Sequence, residues 1–204
     1  MARDDPESNL GSVEHGVNVS EHLAFVEWME ENPDDAVVEF RASGIAEEVT
    51  NRTTATISDW SLGGQEQGRD RDHTLQFGLP PELEEAMGYT DVEDRYEAIE
   101  GALAGLTACI NGTVVFNAIR EGIHVEDVVT RVRIPTDLRL LFGVHDLDRA
   151  DEMYDEPLLD VTVTGEDLGD EEIEKIKEFP KRSPVYNLVT LAHPNEPSVS
   201  VGST

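Results

Sequence analysis

The chain has 204 residues, with 44 acidic side chains against 15 basic ones, and a formal net charge of −29 at neutral pH. That length suits one domain, or one domain with an appendage, and it is sufficient to bury a hydrophobic core. The charge argues against nucleic acid as a partner and predicts a halophilic protein whose self-repulsion is screened by concentrated salt; the alternative is an ordinary acidic protein.

The first 35 residues are predicted to be an appendage to the main domain. Residues 1–18 are polar and predict a flexible acidic tail. They contain no apolar segment of the kind found in signal peptides, so we expect a cytoplasmic protein. Residues 19–35 are predicted to form a helix from Glu21 to Glu31, with Ser20 as its N-cap and Pro33 after its end.

Two strands are predicted next. Apolar and polar side chains alternate over residues 36–42 and again over residues 47–60, which is typical of half-buried strands. Ser43–Gly44 lies between them and is predicted to form the turn of a hairpin.

Residues 61–89 show the least regular pattern. Gly63–Gly64 begins a segment that is predicted to be a loop. Residues 74–77 are predicted to form a strand, and Pro80–Pro81 to start a short acidic helix that Gly88 ends.

The longest predicted helix covers residues 96–121 and contains Cys109, the only cysteine, so the fold has no intramolecular disulfide. Apolar side chains occur on every side of this helix, which predicts that it is buried all round. Its content of glycine, alanine, threonine and asparagine is too weakly hydrophobic for a membrane span, so no membrane partner is expected. Small residues recur at three- or four-residue spacing, which favours close approach of a second helix. They are Gly101, Gly105, Ala108 and Gly112.

The C-terminal half is predicted to add strands and two helices after an acidic connection. The two helices are an amphipathic helix with Ile173, Ile176 and Phe179 facing inward, and a short helix with Ser183 as its cap. The whole order predicts an α+β fold in which antiparallel strands pack on helices. The predicted segments are strands at 125–134, 158–164 and 198–201, a connection at 135–156, and helices from 167–179 and from Pro184.

Four segments, taken together, resemble the OsmC/Ohr superfamily of osmotically induced and organic-hydroperoxide-resistance proteins. The resemblance covers residues 36–195, with an insertion near 65–94 and a tail at 196–204. The segments are the hairpin with Gly63–Gly64, Glu100 nine residues before Cys109, Asn117–Ala118 followed by Gly122–Ile123, and Lys181–Asn187 (KRSPVYN).

The resemblance implies a swapped homodimer in which two long helices cross beneath antiparallel sheets shared by both chains. Active family members reduce organic hydroperoxides with two cysteines, one forming a sulfenic acid and the other resolving it. Cys109 matches the first cysteine, Arg52 the arginine that activates it, and Glu100 the helix glutamate, with Glu97 less well placed. The second cysteine is absent, and Ser183 occupies its position.

Each of these residues also has a structural interpretation. Cys109 has the character of a small core residue, and Arg52 of a surface residue that balances acids. Glu100 favours the positive end of a helix, and Ser183 caps one.

Two functions therefore stay open. The first is a one-cysteine reductase of a small hydrophobic peroxide that depends on an external thiol. The second is a catalytically inactive homodimer with a structural role or a small ligand. The histidines show no metal-ligand spacing, and no metal or cofactor is predicted.

Overall fold

The structure is a computed structural model that describes residues 12–193 and 197–201. The chain divides into two compact units, with the boundary after Ala104. The first 11 residues of the predicted tail lie outside the described residues.

The N-terminal segment is more ordered than the predicted tail. Strands β1 (Val13–Glu14) and β2 (Val17–Asn18) form a minimal antiparallel hairpin. Helix α1 (Val19–Glu31) follows at once, and its N-cap is Asn18, whose Oδ1 accepts a hydrogen bond from the Glu21 amide at 3.2 Å. The prediction of Ser20 as the cap is therefore wrong by two residues.

The first unit contains a four-stranded antiparallel sheet with β4 at its centre. Strand β4 pairs with β3 along its length, with β5 at one end and with β6 at the other. The strands are β3 (Val38–Ala46), β4 (Thr53–Leu62), β5 (Gln65–Gln67) and β6 (His73–Phe77).

The β3–β4 hairpin is confirmed, but its predicted turn is wrong. Ser43 and Gly44 lie inside β3, paired with Thr56 and Ala55, and the chain reverses over residues 47–52. Gly63 and Gly64 form a tight turn with φ angles of 53° and 73°, which glycine adopts without strain. That turn leads into β5, where a loop was predicted.

Two helices follow the sheet. Helix α2 (Pro81–Met87) ends at Gly88, whose φ of 84° is left-handed, as the predicted helix stop requires. Helix α3 (Ala98–Glu121) is the predicted long helix, and the boundary between the two units falls within it.

The second unit holds the hydrophobic core. Strands β7 (Asp127–Arg133) and β8 (Leu158–Thr164) form an antiparallel pair whose alternate side chains pack on this core. Between them lies a short 3₁₀ turn, Leu147–Glu152. The buried core residues are Leu106, Ile110, Val114, Ala118, Ile123, Val125, Ile176 and Phe179.

Helix α3 is buried on one face only within the chain, so the expectation of burial all round is not met. The buried face carries Leu106, Ile110 and Val114, whereas Phe116 on another face is 49% exposed. By length and hydropathy α3 also qualifies as a membrane-span candidate, a test that the core helix of a soluble protein passes equally. Five of its residues are buried within the chain: Leu106, Ile110, Val114, Ala118 and Ile119.

The chain ends in two short helices. Helix α4 (Asp170–Glu178) carries two of the chain's three lysines in the predicted pairs, Lys175 with Glu171 and Lys177 with Glu174. Its Ile176 is buried as predicted.

The region around α4 also contains two departures from the predictions. Ile173 is exposed, so its predicted inward orientation is wrong. A 3₁₀ turn (Phe179–Arg182) and α5 (Pro184–Thr190) follow α4, whereas residues 198–201 form no strand.

Candidate functional site

Cys109 lies at the middle of α3 as a free thiol and is partly exposed within the chain. Its backbone carbonyl accepts a hydrogen bond from the Thr113 hydroxyl at 2.7 Å, one turn further along the helix. Partial exposure distinguishes Cys109 from the fully buried Ile110 beside it.

Glu100 takes part in the N-terminal cap of α3. Its Oε2 accepts a hydrogen bond from the Glu97 amide at 3.0 Å, and the Glu97 carboxylate accepts one from the Ile99 amide at 2.5 Å. This reciprocal arrangement is a capping box with glutamate in the N-cap position. The structural interpretation of Glu100 at the helix N-terminus is thus met.

Arg52 is not a surface residue. Its side chain is 4% exposed and lies at the end of the β3–β4 turn, against the carboxylate of Glu84, which is 0% exposed. Nη2 of Arg52 donates to Oε2 of Glu84 at 3.0 Å, and Nε donates to Oε1 at 3.3 Å. This two-pronged contact fixes the plane of the guanidinium.

Two further acceptors complete the surroundings of Arg52. Nη1 donates to Oε2 of Glu93 at 3.0 Å, and Nη2 donates to the carbonyl oxygen of Asp91 at 2.5 Å. A guanidinium has five N–H donors, so these contacts leave one donor, on Nη1. We call this arrangement of Arg52 with Glu84, Asp91 and Glu93 the Arg52 cage.

A second arginine extends the same network. Nη1 of Arg95 pairs with Glu47 at 2.8 Å, and its Nη2 pairs with Glu93 at 3.1 Å, so Glu93 bridges both arginines. The hydrogen bond from Arg52 holds the pKa of Glu84 below its ordinary value, and that from Arg95 does the same for Glu47. The carboxylates are therefore ionised and bound at neutral pH.

Ser183 is fully buried and serves as the N-cap of α5. Its hydroxyl oxygen accepts a hydrogen bond from the Tyr186 amide at 3.2 Å, and Pro184 occupies the first helical position. The predicted capping role is confirmed. A serine hydroxyl cannot form a disulfide with an oxidised thiol, so the chain provides no resolving sulfur at this position.

Sequence reasoning found Arg52 but missed Glu84, Glu93 and Arg95. Residues 82–95 contain many charged side chains. Their spacing shows no regular pattern from which a buried carboxylate could be told apart from an exposed one. The one available signal is the excess of glutamate next to an arginine that the resemblance had already singled out. Within the described ranges, no group of three or more histidine, cysteine or acidic side chains is placed to hold a metal ion.

No family model matches the sequence, and no curated protein matches it. Among solved structures, the chain is similar to an OsmC-like protein from Mycoplasma pneumoniae, with a TM-score of 0.50 and 16% identity over 74% of this chain and 86% of that one. It is also similar to the organic hydroperoxide resistance protein OhrB of Bacillus subtilis, with a TM-score of 0.41 and 14% identity over 74% and 89% of the two chains. The antiparallel strands and long helix, together with the first of these matches, show that this chain has the α+β fold of the OsmC-like proteins, as its sequence motifs predict.

Proposed function

We propose that the protein is a one-cysteine, thiol-dependent reductase of organic hydroperoxides in which Cys109 is the reacting residue. The observation that carries the proposal is the partly exposed free thiol of Cys109 on the long helix of an OsmC-like fold. The proposed location of this reaction is the cytoplasm, where the reduced thiols that it requires are abundant.

The chemistry balances with an external thiol as the only reductant. The Cys109 thiolate attacks the hydroperoxide, an S–O bond forms, the O–O bond breaks, and the leaving alkoxide takes a proton to become an alcohol. A first external thiol then displaces water from the sulfenic acid to give a mixed disulfide. A second one releases the Cys109 thiolate and leaves with the first as a disulfide. Ser183 takes no part in these steps.

The test is trapping of the sulfenic acid in molar salt. Wild-type protein is mixed with cumene hydroperoxide in the presence of dimedone, and the adduct at Cys109 is quantified by mass spectrometry. We expect a Cys109 adduct, and consumption of added thiol that Cys109→Ser abolishes. Absence of the adduct, or equal thiol consumption by Cys109→Ser, contradicts the proposal. Ser20→Ala is the matched control. It removes an exposed hydroxyl group of α1 and is prepared and assayed in the same way as Cys109→Ser.

We further propose that the functional form is a homodimer. Small residues of α3 have open space around them in the chain, since a Cβ built on Gly105 or Gly112 meets no atom within 4 Å. Phe116 on the same helix is half exposed. A small-residue face of this kind suits a second helix at short range, and a second copy of α3 supplies one.

A second candidate function is a catalytically inactive OsmC-like homodimer, with a structural role or a small hydrophobic ligand. The Arg52 cage favours it, because an arginine with one remaining donor offers a peroxide no fork of N–H groups. The trapping experiment separates the two functions. An inactive protein yields no Cys109 adduct above that of denatured protein at the same thiol concentration.

A further inference from the structure

Residues 81–96 cross the first unit with little hydrophobic support. Over this segment, which we call the strap, no apolar residue is buried, whereas Glu84 is fully buried and the Arg95 side chain is only 9% exposed. Hydrophobic burial stabilises most elements of a folded protein, at roughly 25 cal/mol per Å² of apolar surface. The strap gains little from it, so polar contacts must hold the strap in place.

Those polar contacts converge on the β3–β4 turn and its flanks. Glu84, Asp91 and Glu93 of the strap bind Arg52, and the Tyr89 hydroxyl donates to the carbonyl oxygen of Thr50 at 2.7 Å. Segments with few buried apolar contacts open locally at a lower free energy than core strands. Arg95 of the strap adds an ion pair with Glu47 of the turn, and the Gly78 amide donates to the Tyr96 carbonyl oxygen at 2.9 Å. Arg52 binds three residues of the strap and is its principal polar attachment.

The closed strap is also imperfectly satisfied. Arg95 pairs through both terminal nitrogens, yet its buried Nε has no hydrogen-bond partner among the residues that the structure describes. A buried donor without a partner costs about 1–3 kcal/mol. Opening of the strap lets water bind this N–H. The unpaired donor therefore reduces the free-energy difference that favours the closed state.

We propose that the strap is a lid over Arg52, latched by the Arg52 cage and able to open while the sheet stays folded. In the closed state Arg52 is 4% exposed and has one donor left. In the open state its forked donors become available to a carboxylate or another oxyanion. The inference concerns the first unit alone and does not depend on reaction of Cys109.

Hydrogen exchange of the full chain in molar salt tests the lid. We expect amides of residues 81–96 to exchange at least about tenfold faster than those of β4, which is the signature of local opening. Glu93→Gln weakens the latch at its 47%-exposed member, and Arg52→Lys removes the forked donor. Both changes should raise strap exchange severalfold and leave β7 and β8 unchanged. Glu85→Gln, on the exposed side of α2, is the matched control and should change nothing.

Labelling of Arg52 by phenylglyoxal, read by mass spectrometry, gives a second measure. Glu93→Gln should raise the Arg52 labelling rate by the same factor as strap exchange, whereas Glu85→Gln should not. The proposal is overturned if the strap and β4 exchange at one common rate in the wild type. It is equally overturned if Glu93→Gln and Arg52→Lys leave strap exchange as it was, since the cage would then not be the latch.

Discussion

Arg52 and Ser183 both match functional positions in the family resemblance, and both make structural contacts in this chain. Arg52 matches an activating arginine in the family resemblance, yet its guanidinium is engaged by two carboxylates and a carbonyl oxygen. Ser183 stands where the family has a second cysteine, and it caps a helix. Substitution of either residue should therefore be followed by a measurement of protein stability as well as of activity.

The Arg52 cage predicts acid sensitivity. The bound arginines lower the pKa of Glu84 and of Glu47 in the folded chain relative to an ordinary value of 4.5. A lowered folded pKa contributes stability that is fully present above the unfolded value and lost as pH falls through the folded one. Urea-unfolding midpoints should therefore hold from pH 7 to about 5 and decrease below about 4.5.

Two glutamate variants show whether the Glu84 carboxylate causes this loss of stability in acid. Glu84→Gln should lower the midpoint at pH 6 and make the dependence on pH shallower, because one titrating carboxylate is gone. Glu85→Gln should keep the wild-type slope. An unchanged slope in Glu84→Gln would contradict the assignment.

The cap of α5 predicts a stability loss for Ser183→Ala. Removing the hydroxyl leaves the Tyr186 amide without its acceptor, and loss of an N-cap costs about 1 kcal/mol. For a chain of this size we expect the melting temperature to fall by about 2–4 °C. Ser20→Ala, at an exposed hydroxyl, should stay within about 0.5 kcal/mol of the wild type. Equal melting of Ser183→Ala and wild type would contradict the capping role.

At the scale of elements, strands and helices with strong periodicity were predictable, and the points where the chain turns were not. Strand β8 was predicted at the observed residues, because Leu158–Thr164 alternates cleanly. The β3–β4 turn was misplaced, since Ser43–Gly44 has turn-forming residues but sits at paired positions within β3. Pairing with β4 overrode local propensity there.

The same division applies to the residues of the candidate site. The family resemblance singled out Cys109, Arg52, Glu100 and Ser183 from motifs that a sequence displays directly, and their role as a shared site stays a prediction. Glu84 and Glu93 were missed, since burial of a carboxylate depends on which arginine the fold brings to it. Long-range pairing of that kind leaves no period in the sequence.

The open small-residue face of α3 predicts a size-sensitive dimer. Gly112→Leu places a large side chain where a second helix would approach, and it should shift the mass seen by light scattering in molar salt from dimer to monomer. Gly112→Ala keeps the residue small, so it should keep the dimer and raise helix stability by up to about 1 kcal/mol. A dimer that tolerates Gly112→Leu would place the interface elsewhere.

At the scale of the whole molecule, the charge of −29 sets the conditions under which the fold persists. Over the whole chain 44 carboxylates face 15 basic groups, so their repulsion opposes the compact state. At 1 M salt the Debye length is about 3 Å, and repulsion between separated surface charges is largely screened. The buried pairs of the Arg52 cage are screened much less.

We therefore expect the melting temperature to rise steeply between 0.1 and 2 M KCl. The gain should be larger than that of an unrelated domain of the same size and near-zero net charge, measured in parallel. Sucrose at matched water activity provides no ionic screening and should give a smaller rise. A melting temperature that is independent of KCl would contradict the halophilic interpretation.

The protein has three lysines, and all of them lie in or just after α4. Lys175 and Lys177 belong to the helix, and Lys181 follows its end. Amine-directed crosslinkers, fluorophores and activated resins will consequently act, apart from the terminal amino group, within one stretch of seven residues. Chemical immobilisation through these amines gives molecules with one common orientation on the resin. Lysine-to-lysine crosslinks, in turn, carry no information on β3 to β6, because these strands contain no lysine.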